Sequence, residues 1–137
     1  MIVADTGAVV ALVDADDKHH ETMRGRFEED PDEWVLPWSI LPEVDYLLGA
    51  HVGRRAQNAF FRDLASGAFA IDRGQPDDLL RAEALHARYA SLHLGLVDTT
   101  VIAIAERLKA HTIATLDVRH FGAVAIKGKP RLFPRDG

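Results

Sequence analysis

Apolar residues along this chain gather into short runs, each followed by a longer stretch with helical spacing. IVAD opens as a short buried strand, and GAVVALVD follows with helical spacing. His19 to Glu29 reads as a second, polar helix, closed by the turn cluster DPDE. WVLPW predicts a strand, with Ser39 as cap for a helix running to Gly49. GRRAQNAFFRDLASG is amphipathic, with Ala56, Phe60, Leu64 and Ala65 along one stripe and Gly67 at its end. AFAI predicts a third strand. Pro76 suits the first turn of a helix through PDDLLRAEALHARYASL. A helix opened by Asp98 comes next, with Val101, Ala105 and Leu108 as its apolar stripe, then the strand TIATL and a short last strand in RLF. Short apolar strands alternating with helices predict an α/β sandwich: a short parallel β-sheet flanked by helices. In such folds ligands bind beyond the carboxyl ends of the strands.

Bulk properties narrow the class. At 137 residues the chain is expected to form a single domain spanning 1–137, and no repeat or linker divides it. Runs such as VIAIA and AVVALV are too short to cross a bilayer, and MIVADTG has no basic n-region followed by a long apolar one. A cytoplasmic location is the default expectation. The absence of cysteine excludes disulfides and thiolate zinc sites. A net charge of −5 excludes a polycation that coats nucleic acid. It leaves room for a nucleic-acid enzyme whose acids hold divalent cations beside a basic rim.

Three aspartates fall where that chemistry needs them. Asp5 directly follows IVA, Asp117 follows TIATL, and Asp98 heads the apolar stripe of its helix, where the helix dipole favours a carboxylate. A turn or helix cap accounts for Asp5 or Asp98 taken singly; their convergence at one sheet edge is what points to a site. Another acid is available from the Ser39 helix, but Glu43 and Asp45 lie about 200° apart around its axis. Periodicity does not choose between them. At an effective dielectric of ~20, two carboxylates about 5 Å apart repel by roughly 3 kcal/mol. Several stay ionised together only beside a cation, and oxygen ligands suit Mg²⁺ or Mn²⁺. Such ions activate water and stabilise a leaving oxygen in phosphodiester hydrolysis.

Four segments carry a family resemblance over essentially the whole chain: IVADTGAVVALVD, WSILPEVDYLL, GLVDTTVIAIAERL and TIATLDVRHF. In this order and spacing the chain resembles the PIN-domain ribonucleases, and among them the VapC-type toxins of bacterial toxin–antitoxin pairs. Carried over position by position, the family's acids fall on Asp5, Glu43, Asp98 and Asp117, so the resemblance selects Glu43 and leaves Asp45 as a solvated helix residue. Thr6 and Thr115 match positions where the family often has supporting hydroxyls. The resemblance implies a Mg²⁺- or Mn²⁺-dependent endoribonuclease with a short parallel sheet flanked by helices. It also implies a homodimer, a cognate antitoxin that covers the site, and structured RNA (tRNA or a ribosomal RNA loop) as substrate. The expected products carry a 5′-phosphate and a 3′-hydroxyl.

Other features are weaker. Arg119, His120 and Lys127 are candidates for an RNA path, together with Lys129, Arg131 and Arg135; a solvated tail is the simpler account of these basic residues. His19 and His20 are adjacent and cannot chelate one ion in the i, i+4 manner, so they are expected at the surface. Trp34, Trp38, Phe60 and Phe61 are expected mostly in the core, with an antitoxin groove or dimer face as the alternative. The DADD run at 14–17 reads as a turn. Three rivals stand against the nuclease: a receiver-like Mg²⁺-binding regulatory domain, a phosphatase needing Asp-x-Asp where Gly7 stands, and a catalytically inactive PIN binding module.

Overall fold

The structure, a computed structural model, describes residues 1–137. Strands β1 (Ile2–Ala4), β2 (Trp34–Pro37), β3 (Ala70–Asp72), β4 (Thr112–Ala114) and β5 (Arg131–Phe133) form one sheet in the order β3-β2-β1-β4-β5, parallel throughout. Helices α1 (Thr6–Val13), α2 (His20–Glu29), α3 (Leu41–Leu47), α4 (Arg54–Ser66), α5 (Pro76–Arg88), α6 (Leu96–Arg107) and α7 (Val118–Phe121) connect them. The parallel sheet flanked by helices is the expected architecture. No helix is long and apolar enough to cross a membrane.

The strand order fixes where a site can form. From β1 the chain moves outward through β2 to β3, then crosses back to lay β4 on the other side of β1. Connections therefore diverge at the carboxyl ends of β1 and β4, the switch point at which such sheets open a crevice. Ala4 pairs with Ala114, so the two strands end level with each other. Both are fully buried, as expected of central parallel strands.

Helix α6 packs on α5, β1 and β2. It is buried on every side from Thr99 to Ala105, so it is a core helix rather than one with a single apolar stripe. On the other side of the core, Phe27 of α2 meets the edge of Trp34 at 5.6 Å and also contacts Phe69. Two of the four aromatics expected inside are there, Trp34 and Phe60; Trp38 and Phe61 are exposed. His20, half-buried, meets the Ala11 carbonyl through Nδ1 at 2.8 Å, which ties α2 to α1.

Several boundaries differ from expectation. Ser39 is no cap: it lies inside a 3₁₀ turn, Trp38–Ile40, and its hydroxyl is hydrogen-bonded 2.8 Å from that of Thr100. Helix α3 runs past Gly49 through a π-helical turn, Leu48–Val52, and stops at Gly53, whose φ of +139° suits glycine. Helix α5 ends at Arg88, and Ala90–Leu92 forms a separate 3₁₀ turn. Strand β3 begins two residues later than AFAI suggested. It is an edge strand with only partial burial, so hydrophobicity marks its limits poorly.

Candidate active site

The level ends of β1 and β4 bring Asp5 and Asp117 to one crevice. Asp5 occupies the residue before α1, yet its side chain caps nothing, and it is only 6% exposed. It accepts a hydrogen bond from Thr115 Oγ1 at 3.1 Å and one from the Thr6 amide. Thr115 is fully buried and also accepts from the Asp117 amide at 3.0 Å, so a single hydroxyl links the two strand ends. Asp117 caps the short α7, accepting from the His120 amide at 3.1 Å, while its other oxygen lies 2.7 Å from His120 Nδ1.

Asp98 is the third residue of α6 rather than its cap, because the helix starts two residues earlier, with Gly95 in the cap position. Its carboxyl pKa is raised, first by burial and then by the charge of Asp117, with Glu43 adding to the rise and His120 opposing it. Glu43 stands exposed in the first turn of α3. Asp5 feels both Asp98 and Asp117. The other three acids thus lie within electrostatic reach of Asp98.

The charge balance around Asp5 is unusual within this molecule. Burial and its acidic neighbours push its pKa up to about 6, and no lysine or arginine pairs with it. Asp78 is buried to the same degree but meets Arg107 Nε at 2.9 Å, and that guanidinium also holds Asp72 at 2.6 Å. One buried acid therefore has its cation built in; the other has hydroxyls, amides and more acids. A buried carboxylate without compensation is strongly disfavoured.

The donor set fits a divalent ion. Asp98, Asp117 and His120 each present a ligand atom, all within 4.8 Å of one another. Thr6 Oγ1 is buried beside Asp5 in the chain and has no partner in the fold. His120 is the residue that sequence reasoning put on the RNA path and missed as part of the acid cluster. Its signal was the i, i+3 spacing from Asp117, one helical turn. Its imidazole pKa is raised, chiefly by the hydrogen bond to Asp117. Arg119 is exposed next to the cluster. Lys127 is elsewhere: its amide donates to Glu106, eight residues and about 12 Å along α6 from Asp98. Asp45 is not a solvated residue, since Gln57 Nε2 donates to its Oδ1 at 2.8 Å.

Thr115→Val keeps the side-chain shape but leaves the Asp117 amide and a buried carboxyl without their shared partner. We expect a loss of about 2 kcal/mol in urea unfolding. An unchanged midpoint would show the hydroxyl bridge to be energetically idle.

Comparison with known proteins agrees with this architecture. The family model described as "PIN domain" matches residues 2–127. Ribonuclease VapC26 of Mycobacterium tuberculosis is 30% identical over 123 residues, which cover 90% of this chain and 91% of that protein. The crystal structure of M. tuberculosis VapC20, a toxin that cleaves the sarcin–ricin loop, superposes with a TM-score of 0.78 at 23% identity, covering 90% of this chain and 97% of the other. VapBC2 of Rickettsia felis, solved bound to a DNA fragment from its promoter, gives 0.73 at 15% identity over 96% and 97%. The chain belongs to the PIN-domain family, as a member of the VapC type.

Proposed function

We propose that this protein is a Mg²⁺- or Mn²⁺-dependent endoribonuclease toxin that cuts structured RNA and is held inactive by a cognate antitoxin. The observation that carries the reading is Asp5: a buried acid among acids, with no basic partner, at the switch point of the sheet. Asp5, Glu43, Asp98 and Asp117 are the metal ligands in this reading, with Thr6 and Thr115 in support. A bound divalent ion supplies Lewis acidity and a water of lowered pKa. Thr115 orients the Asp5 carboxylate and fixes the backbone of Asp117. His120 holds its proton on Nδ1 toward Asp117 and sets that carboxylate's rotamer. Arg119 is close enough in sequence to face the substrate phosphates, whereas Lys127 is better accounted for by Glu106.

Structured RNA as substrate draws support from VapC20, and an antitoxin partner from relatives solved as toxin–antitoxin complexes. A homodimer and a cytoplasmic site of action complete the reading. The receiver-like alternative loses ground because Asp72, the acid ending β3, is already engaged by Arg107. An inactive binding module has no use for four clustered acids.

Incubation of the purified protein with total tRNA and ribosomal RNA tests the proposal. With Mg²⁺ or Mn²⁺ the expected products are discrete fragments bearing 5′-phosphates, and EDTA stops their formation. Fragments with 5′-hydroxyls, or cutting that persists in EDTA, would refute the metal-hydrolysis mechanism.

A further inference from the structure

We propose that the cavity beside Trp38 is a nucleobase subsite, in which a base of the RNA next to the cut stacks on the exposed indole. This rests on the ribonuclease reading above and adds a determinant of where that site cuts. The cavity holds about 470 Å³ and is lined by Trp38, Ser39, Arg73, Leu79, Thr100 and Ile104 among others.

Its position follows from the sheet. Trp38 directly follows the last residue of β2, and Arg73 the last of β3. The cavity therefore opens at the same carboxyl edge from which Asp5 and Asp117 leave β1 and β4. Neighbouring strands are about 4.8 Å apart, and the ends of β2 and β3 lie one to three strand spacings from those of β1 and β4. Thr100 borders the cavity from α6: it stands two residues beyond Asp98, about 200° around the axis from it, with its hydroxyl bonded to that of Ser39, so the cavity flanks the acid site across the helix.

The chemistry of the lining suits a flat, polar-edged ring. Trp38 is 49% exposed although Leu36 and Ile40, two residues away on either side, are in the core, and Trp34 is fully buried. The Arg73 guanidinium carbon stands 4.9 Å from the Trp38 ring centroid, which shows that a planar cation already uses this face. Arg73 is exposed and turns aside without disturbing the core. A base takes its place on the indole, and the guanidinium then meets the adjoining phosphate. Thr100 is buried, its hydroxyl bonded to the Leu96 carbonyl and to Ser39, which leaves the Ser39 hydroxyl to offer a hydrogen bond to the base edge. Proteins read single-stranded RNA segments by this combination of stacking and edge contacts.

The test uses the Asp98→Asn protein with Mn²⁺, so that RNA is bound rather than cut, and a short oligouridine against an abasic ribose-phosphate oligomer of equal length. Oligouridine should quench Trp38 emission, with Trp34 as the constant background recovered in Trp38→Phe; the abasic oligomer should not. Trp38→Ala should weaken oligouridine binding in anisotropy about tenfold or more, and Trp38→Phe, which keeps a stacking face, should restore most of it. Equal quenching by the abasic oligomer overturns the proposal, and this comparison needs no substitution at Trp38. So does a Trp38→Ala protein that binds oligouridine as before, and if that protein also sediments as a smaller species the cavity is a seam between copies. Cleavage by Asp98→Asn, by contrast, would count against the ribonuclease assignment and leave the stacking result to stand or fall by itself.

Discussion

Asp98→Asn should lower RNA cleavage on the order of a thousandfold, the scale seen when one group that stabilises transition-state charge is removed, and should not destabilise the fold. Asparagine keeps the size of the side chain and discards its charge. In the metal-free protein that charge is a burden: burial raises the Asp98 pKa, and Asp117 and Glu43 raise it further. Removing it relieves repulsion, so the urea midpoint should hold or rise. With metal present the same charge would complete the ligand set, and its loss should appear in single-turnover cleavage. Asp45→Asn is the matched control. It lies two residues from Glu43 on α3, but its carboxylate is occupied by Gln57, so cleavage should persist. Full activity in Asp98→Asn, or equal losses in both variants, would remove Asp98 from the proposed machinery.

How much of this was legible beforehand depended on the range of the interaction involved. The parallel sheet could be read from short apolar runs because central strands are buried on both faces, and their composition alone marks them. Asp5 and Asp117 could be placed because each is one or a few residues beyond such a run. The choice between Glu43 and Asp45 could not be made from periodicity, since both lie on faces bordered by leucine; the Asp45–Gln57 bond spans twelve residues and belongs to packing between helices. Ser39 looked like a cap because its type fits, but its partner is Thr100, sixty-one residues away. Asp98 looked like the head of its helix for the same reason, and backbone geometry gave that place to Gly95. His120 was assigned by charge to an RNA path; the hydrogen bond to Asp117 draws it into the acid cluster instead. The pairing of Asp78 with Arg107, and hence the contrast that isolates Asp5, exists only in three dimensions.

Asp5→Asn should stabilise the metal-free protein by about 2–3 kcal/mol at pH 7.5, and the gain should vanish near pH 4. The folded-state pKa is raised from 3.8 to about 6, mainly by burial and then by the charges of Asp98 and Asp117. The folded protein therefore keeps this proton between pH 4 and pH 6 while the unfolded chain releases it. Where the folded state binds more protons, stability falls as pH rises. The two-unit displacement corresponds to about 3 kcal/mol, reached above pH 6 and lost below the unfolded pKa. Other carboxylates titrate in the same range, so the quantity to follow is the difference between variant and wild type in urea melts at several pH values. Asparagine retains an oxygen to accept from Thr115, which keeps the local bonding comparable. Saturating Mn²⁺ should then stabilise the wild type and reverse the order of the two proteins, because a ligand bound only by the folded state adds its binding free energy to stability. A variant less stable than wild type at pH 7.5 without metal, or a gap that stays flat from pH 4 to pH 6, would mean that Asp5 carries no uncompensated charge. The electrostatic reason for a cation at this crevice would go with it.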